Sequence, residues 1–292
     1  MISARPNARN YPKILRFLLP LAIIFLFIYL SATKLPDVRA YECVEDGKPC
    51  EEVPTAARAG SHVTESPPLQ VEAVLDERSC GENDFRIGRM LRSFRSCVTR
   101  DGQVLLEEYL NGWRELIKFM DALGTVFTFI SSETRTKINI LQGYLDGEHG
   151  QSYRTISSMI RYELDNEVVN FKELPRNRVP SGCRTLLRMH RALKWLEDFL
   201  YKVGTSPGQE KTSELCAESY HKTLAHHHSW FIRQVAEVAF LALPPLEKMY
   251  EVVCVKDQAE ARVVLLTTVD AIVKVYNITQ ELYTDNEMLD LP

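Results

Sequence analysis

The sequence runs to 292 residues, 45% of them hydrophobic and 9% aromatic, which is enough apolar side chain for one or two packed cores and too much for a disordered chain. A net charge of -4 excludes a general nucleic-acid binder, since such a protein needs a basic field to neutralise many phosphates. Seven cysteines with no C-x-x-C pair and no metal-finger spacing define neither a zinc site nor a disulfide framework.

At the amino terminus Arg5, Arg9, Lys13 and Arg16 precede the apolar run Phe17 to Leu30, which weakly polar residues extend to Thr33. As a helix that run reaches only about 26 Å, the short end of a membrane span, and it also has the length of a signal-peptide core. Ser31-Ala32-Thr33 is a poor cleavage site and Val38-Arg39-Ala40 lies far downstream, so residues 1–34 are read as an uncleaved, single-pass signal anchor. Positive-inside counting then sends the remainder to the lumenal or extracellular side. Asn277-Ile278-Thr279, a glycosylation triplet, would fit that side.

Residues 35–83 carry Pro49, Pro54, Pro67 and Pro68 among many acidic residues, with almost no apolar period, and read as a flexible linker. Cys43, Cys50 and Cys80 form an odd set whose redox state the residues leave open. From about residue 84 to 292 the pattern becomes helical. Met90, Leu91, Phe94 and Val98 share one face, then Tyr109, Trp113, Leu116, Ile117 and Met120 share the next. Further helices are expected over 126–145, 153–169, 181–200, 212–242, 246–255 and 258–283. No strand-type alternation competes, so the class is all-α, with about seven or eight helices.

Enzyme signatures are missing: there is no G-x-S-x-G, H-E-x-x-H, P-loop or dinucleotide fingerprint, and no cofactor is expected. His226-His227-His228 invites a metal reading, but consecutive helical residues point about 100° apart and no third ligand is suitably spaced, so no metal is expected. Glu133 and Lys137, four apart with the acid first, suit an ordinary surface pair. Arg184, Arg188 and Arg191 cluster within roughly 60° of one helix face opposite Leu186, Met189, Leu193, Leu196 and Leu200. Like charges at this spacing repel by about 0.2 to 0.5 kcal/mol. The face therefore suits either a solvated surface with acidic neighbours or a bound anion.

The stretches LGTVFTFISSETRTKINIL (123–141), SGCRTLLRMHRALKWL (181–196) and LCAESYHKTLAHHHSWFIR (215–233), with YNITQELY and LDLP near the end, occur together in this order. From about Phe85 to Pro292 the chain resembles the glycolipid transfer protein family, on its ceramide-1-phosphate branch. The resemblance implies a two-layer helical sandwich that encloses both hydrocarbon chains of one sphingolipid, with the head group held at the surface. It implies no covalent chemistry. It assigns Glu133 and His228 to the amide N–H and C=O of the ceramide, and Lys137, Arg184 and Arg188 to the phosphate. The glycolipid branch has a tryptophan where this chain has Arg188 and an asparagine where it has Lys137, so a phosphate is the expected head group.

One departure is that the family's acid is normally Asp, and Glu133 is one methylene longer. Partners implied are ceramide-1-phosphate or a related sphingolipid and a membrane surface, with no nucleic acid and a monomeric lipid-binding domain. Enclosure has a clear physical reason: exposing roughly 30 methylenes at about 0.8 kcal/mol each would cost some 24 kcal/mol. Trp113 and Trp230 are expected among the cavity-wall and membrane-contact residues. A tethered sensor that binds without transferring and a carrier of neutral glycosphingolipids are the alternatives. The resemblance also suggests work on cytosolic leaflets, in conflict with the positive-inside count.

Overall fold

Leu106, Tyr109, Leu110, Trp113, Leu116, Ile117 and Met120 recur every three or four residues, and all are buried along one stripe of helix α2 (Leu106–Ala122). The same periodicity builds the other helices. The computed structural model describes residues 85–124, 127–173, 179–253, 255 and 258–292. Around α2 lie α1 (Ile87–Ser96), α3 (Thr128–Leu145), α4 (Ile156–Asp165), α5 (Gly182–Thr205), α6 (Thr212–Thr223), α7 (Trp230–Phe240), α8 (Leu246–Val252) and α9 (Gln258–Asp285). Short 3-10 turns occur at Gly150–Tyr153 and Ala225–His227. Among the described residues there is no strand; isolated bridges pair Val98 with Val104 and Leu105 with Thr155. The fold is all-α, as expected.

Helix starts follow capping chemistry. Thr155 and Ser158 form a reciprocal capping box at α4, and the Ser181 and Ser229 hydroxyls accept main-chain N–H groups at the starts of α5 and α7. Glu107 and Glu108 complement the dipole in the first turn of α2. Helix α9 packs along α5 and on α1, α1 on α2, α2 on α3, and α3 on α5, so a ring of helices surrounds the core. The wholly buried Tyr283 hydroxyl donates to the Cys183 carbonyl at 2.6 Å, fastening α9 to the first turn of α5. Buried Asp198 accepts from Lys222 at 2.7 Å and ties α5 to α6.

Two expected helices are broken. The span 212–242 divides into α6 and α7, because a 3-10 turn follows Leu224 and His228 is extended (φ -108°, ψ 145°) before the Ser229 cap. The span 153–169 yields a 3-10 turn and the ten-residue α4, whose capping box fixes its start at Ile156. Periodicity alone does not register either interruption.

The expected anchor (1–34), the linker (35–83) with Cys43, Cys50 and Cys80, and the boundary at 84 lie outside the described residues. The expected single-pass membrane location is corrected: among the described residues no helix is long and apolar enough to cross a membrane. Even α9, at 28 residues, spreads Glu260, Arg262, Asp270, Lys274 and Glu281 along its length. The triplet at Asn277 lies within α9, with Thr279 wholly buried and its hydroxyl on the Val275 carbonyl. That is not the surface loop a glycosylation acceptor needs.

Candidate functional site

The site is organised by the first turn of α5. Its leading N–H groups have no helical partner, and a buried carboxylate supplies one. Glu163 of α4, fully buried, accepts from the Gly182 N–H at 2.6 Å on Oε1 and from the Cys183 N–H at 2.9 Å on Oε2. The Tyr153 hydroxyl adds a third bond at 3.0 Å. A negative charge at a helix N-terminus is favoured by the dipole. Gly182 permits the close approach, because a Cβ there would stand 2.8 Å from Met159 Sδ and 3.0 Å from Glu163 Oε1. The Ser181 hydroxyl accepts the Arg184 N–H at 3.2 Å and completes the cap.

This turn delivers Arg184 into the interior. Arg184 is 5% exposed, yet its Nε and Nη2 have no hydrogen-bond partner. Leaving such donors unpaired costs roughly 1 to 3 kcal/mol, and more for a charged group. Burial, and then the neighbouring Arg188, push its guanidinium below arginine's ordinary value. Arg188 is half-buried and donates through Nη1 to the Arg184 carbonyl at 3.1 Å and through Nη2 to the main-chain oxygen of Pro292 at 3.2 Å. Arg191 donates to the Leu289 carbonyl.

Helix α3 brings the second group. The Tyr144 hydroxyl donates to the Pro180 carbonyl at 3.0 Å and its ring stacks on Tyr153 at 4.8 Å, which seats α3 beside the start of α5. Lys137 Nζ lies 3.0 Å from Glu133 Oε2, with side chains 24% and 59% exposed respectively. From the corner before α7, His228 places Nδ1 2.8 Å from the hydroxyl of buried Tyr220. Burial, and then the charge of Lys137, hold the His228 ring below its ordinary value. His227 is pushed down to about 4 by burial and by Arg191, His226 and His228, against the opposing charge of Asp290. The charge of Lys137 on α3 thus acts on His228 and that of Arg191 on α5 acts on His227, so cations of two helices flank a pair of histidines held toward their neutral form.

An apolar recess opens between α2 and α5. Its cavity volume is about 30 Å³, and its walls include Trp113, Phe119, Phe127, Trp195, Phe199 and Leu243. Trp113 lines this recess, whereas Trp230 is 66% exposed at the start of α7, beside the exposed Phe231.

Of the residues singled out from sequence, Arg184 and Arg188 are adjacent, Lys137 couples to His228, and Glu133 is outermost, bonded to Lys137. Sequence reasoning missed Tyr220 and Glu163. A tyrosine and a glutamate carry no signal of burial in a helical pattern; only the isolated Ser181-Gly182 start of α5 hints that its N–H groups need an acceptor.

The family described as Glycolipid transfer protein (GLTP) matches residues 104–255. Ceramide-1-phosphate transfer protein of Xenopus tropicalis is 44% identical over 215 residues, covering 73% of this chain and 100% of that protein. The crystal structure of the mouse ceramide-1-phosphate transfer protein in its apo form is similar with a TM-score of 0.67 at 41% identity, covering 70% of this chain and 98% of that one. The human protein in complex with 2:0 ceramide-1-phosphate is similar with the same TM-score, 0.67, at 39% identity, covering 70% and 97%.

Proposed function

Because the chain belongs to the glycolipid transfer protein family, we propose that it binds ceramide-1-phosphate and carries it between membranes, with no covalent step. The observation that carries the reading is Arg184: a buried guanidinium with unpartnered Nε and Nη2, on the helix whose apolar side walls the recess. A phosphate would satisfy those donors, and each charge-assisted bond contributes about 1.5 to 3 kcal/mol.

In this reading Lys137, Arg184 and Arg188 grip the phosphate, while Glu133 and His228 read the amide. Three cations and one carboxylate leave about two positive charges against the roughly -1.5 to -2 of a phosphomonoester at neutral pH. Tyr220, by donating its O–H to His228 Nδ1, puts the ring proton on Nε2, the tautomer needed to donate to an amide carbonyl. Glu133 frees an oxygen for the amide N–H when the phosphate takes over Lys137. The lipid chains fill the recess. Its cavity volume of about 30 Å³ is only about the share of one water molecule in the liquid, so loading two long chains requires α2 and α5 to move apart. Trp230 and Phe231 form the apolar edge that meets the membrane. The lipid-binding domain is residues 84–292.

A vesicle assay tests this. Purified protein should move fluorescent ceramide-1-phosphate from donor to acceptor vesicles, and Arg188→Leu should slow transfer at least about tenfold. Undiminished transfer by the variant would remove the clamp. Preference for a neutral glycosphingolipid, or tight binding with no transfer, would overturn the cargo or the carrier reading respectively.

A further inference from the structure

Past the end of α9 the chain turns back sharply. Glu287 adopts a left-handed conformation (φ 55°), its N–H bonds the Thr284 carbonyl at 3.0 Å, and the Met288 N–H bonds the Tyr283 carbonyl at 2.8 Å. This is the paired reversal that closes a helix C-terminus. Met288 is wholly buried and Leu291 is 4% exposed. These two apolar anchors hold residues 287–292 as a strap. Between and beyond them, Leu289 O accepts from Arg191 and Pro292 O accepts from Arg188.

The two arginines stand in different relations to the strap. Arg188 is gripped between Arg184 O on its own helix at 3.1 Å and Pro292 O on the strap at 3.2 Å. A guanidinium has five N–H donors, so about three remain, in an orientation these two oxygens define. Arg191 has an acidic neighbour in Asp290, whose charge opposes the effects of burial and of Arg188 on it.

We propose that Arg191 is a positioning residue for the head-group site, holding the strap so that Pro292 aims Arg188 at its ligand. The proposal rests on the phosphate-clamp reading above. It explains why a third arginine follows one turn after the pair: orienting a guanidinium before binding removes an ordering cost from the binding step. Arg191 then acts on the phosphate through Leu289, Leu291 and Pro292 and does not touch it.

The test is a double-mutant cycle with an independent reading of the strap. Arg191→Gln in the whole chain should weaken binding to vesicles containing ceramide-1-phosphate by about three- to tenfold, while in lipid-free protein the Met288 and Leu291 amides exchange hydrogen at least about tenfold faster. In a chain shortened after Asn286, Arg191→Gln should cost nothing further. If that chain does not fold, Leu291→Asp, which unseats the strap at one side chain, replaces it. An equal loss with and without the strap would make Arg191 a direct phosphate ligand and overturn the proposal. Tighter binding on loosening the strap would overturn it too, by showing that Pro292 competes with the phosphate. Unchanged exchange at Met288 and Leu291 would show that Arg191 does not hold the strap. If the wild-type chain binds no ceramide-1-phosphate, the head-group reading and Arg191's role in it both fall, and the exchange comparison still reports separately whether Arg191 holds the strap.

Discussion

The Gly182 N–H donates to Glu163 Oε1 at 2.6 Å inside the core, so a fully buried carboxylate on α4 begins the helix that carries the arginines. Glu163→Ala would strip acceptors from Gly182, Cys183 and Tyr153 together. At about 1 to 3 kcal/mol for each orphaned donor, relieved in part by water entry, the expected loss is about 3 to 5 kcal/mol. Denaturant unfolding measures it. A loss under about 1 kcal/mol would mean that the carboxylate is not what holds the α5 N-terminus.

Arg184→Met should separate stability from function. It removes a buried cation with two unpartnered nitrogens and leaves an apolar side chain of similar length. Lipid-free protein should therefore gain about 1 to 3 kcal/mol, while ceramide-1-phosphate transfer falls at least about tenfold. Thermal unfolding without lipid, beside the vesicle assay, reads both. Destabilisation of the lipid-free protein would sink the view that Arg184 waits unpaired for an anion.

His190 makes stability depend on pH. It is 1% exposed, stacks on Tyr276 at 4.2 Å, bonds Gln280 at 2.7 Å, and is pushed down to about 4 by burial from an ordinary 6.5. Between these values the unfolded chain binds a proton that the native state refuses. Stability from this group is therefore complete above pH 6.5, declines as pH falls toward 4, and changes no further below that, by at most about 3 kcal/mol in all. Chemical denaturation of wild type and His190→Phe at pH 7.5 and 5 should show a smaller acid loss in the variant. Equal losses would assign the effect elsewhere.

Glu287 and Glu167 both end helices with positive φ, 55° and 54°. A left-handed conformation costs an L-residue roughly 1 to 2 kcal/mol, offset in part by the greater unfolded-state freedom of glycine. Glu287→Gly and Glu167→Gly should each stabilise the fold by about 0.5 to 1 kcal/mol. A lower melting temperature in either variant would show that the glutamate side chain makes a compensating contact.

Trp230, 66% exposed, should matter to membranes and not to the lipid site. Trp230→Ala should reduce vesicle association and transfer at least about tenfold, given the area of an indole. Binding of short-chain, water-dispersed ceramide-1-phosphate should stay within about twofold of wild type. Equal losses in both assays would place Trp230 in the cavity wall.

Local pattern determined much of this protein. Apolar residues every three or four positions made it all-α before any contact was known, and Glu133 to Lys137 and Arg184 to Arg188 were legible because four residues are one helical turn. What the pattern left ambiguous was whether the cationic face of α5 was solvated or aimed inward, since the same spacing serves both. Tertiary structure decided that for Arg184 by packing α4 and α9 over the first turn of α5 and leaving its guanidinium 5% exposed. It decided the shape of the corner before α7 as well, where Tyr220, Ser229 and the extended His228 interrupt what reads as one helix. The partners of Arg188 and Arg191 lie about a hundred residues away, at Pro292 and Leu289, and a main-chain oxygen has no side-chain identity for a sequence to record. Periodicity reports which face of a helix is buried; what it is buried against is settled only when distant segments meet.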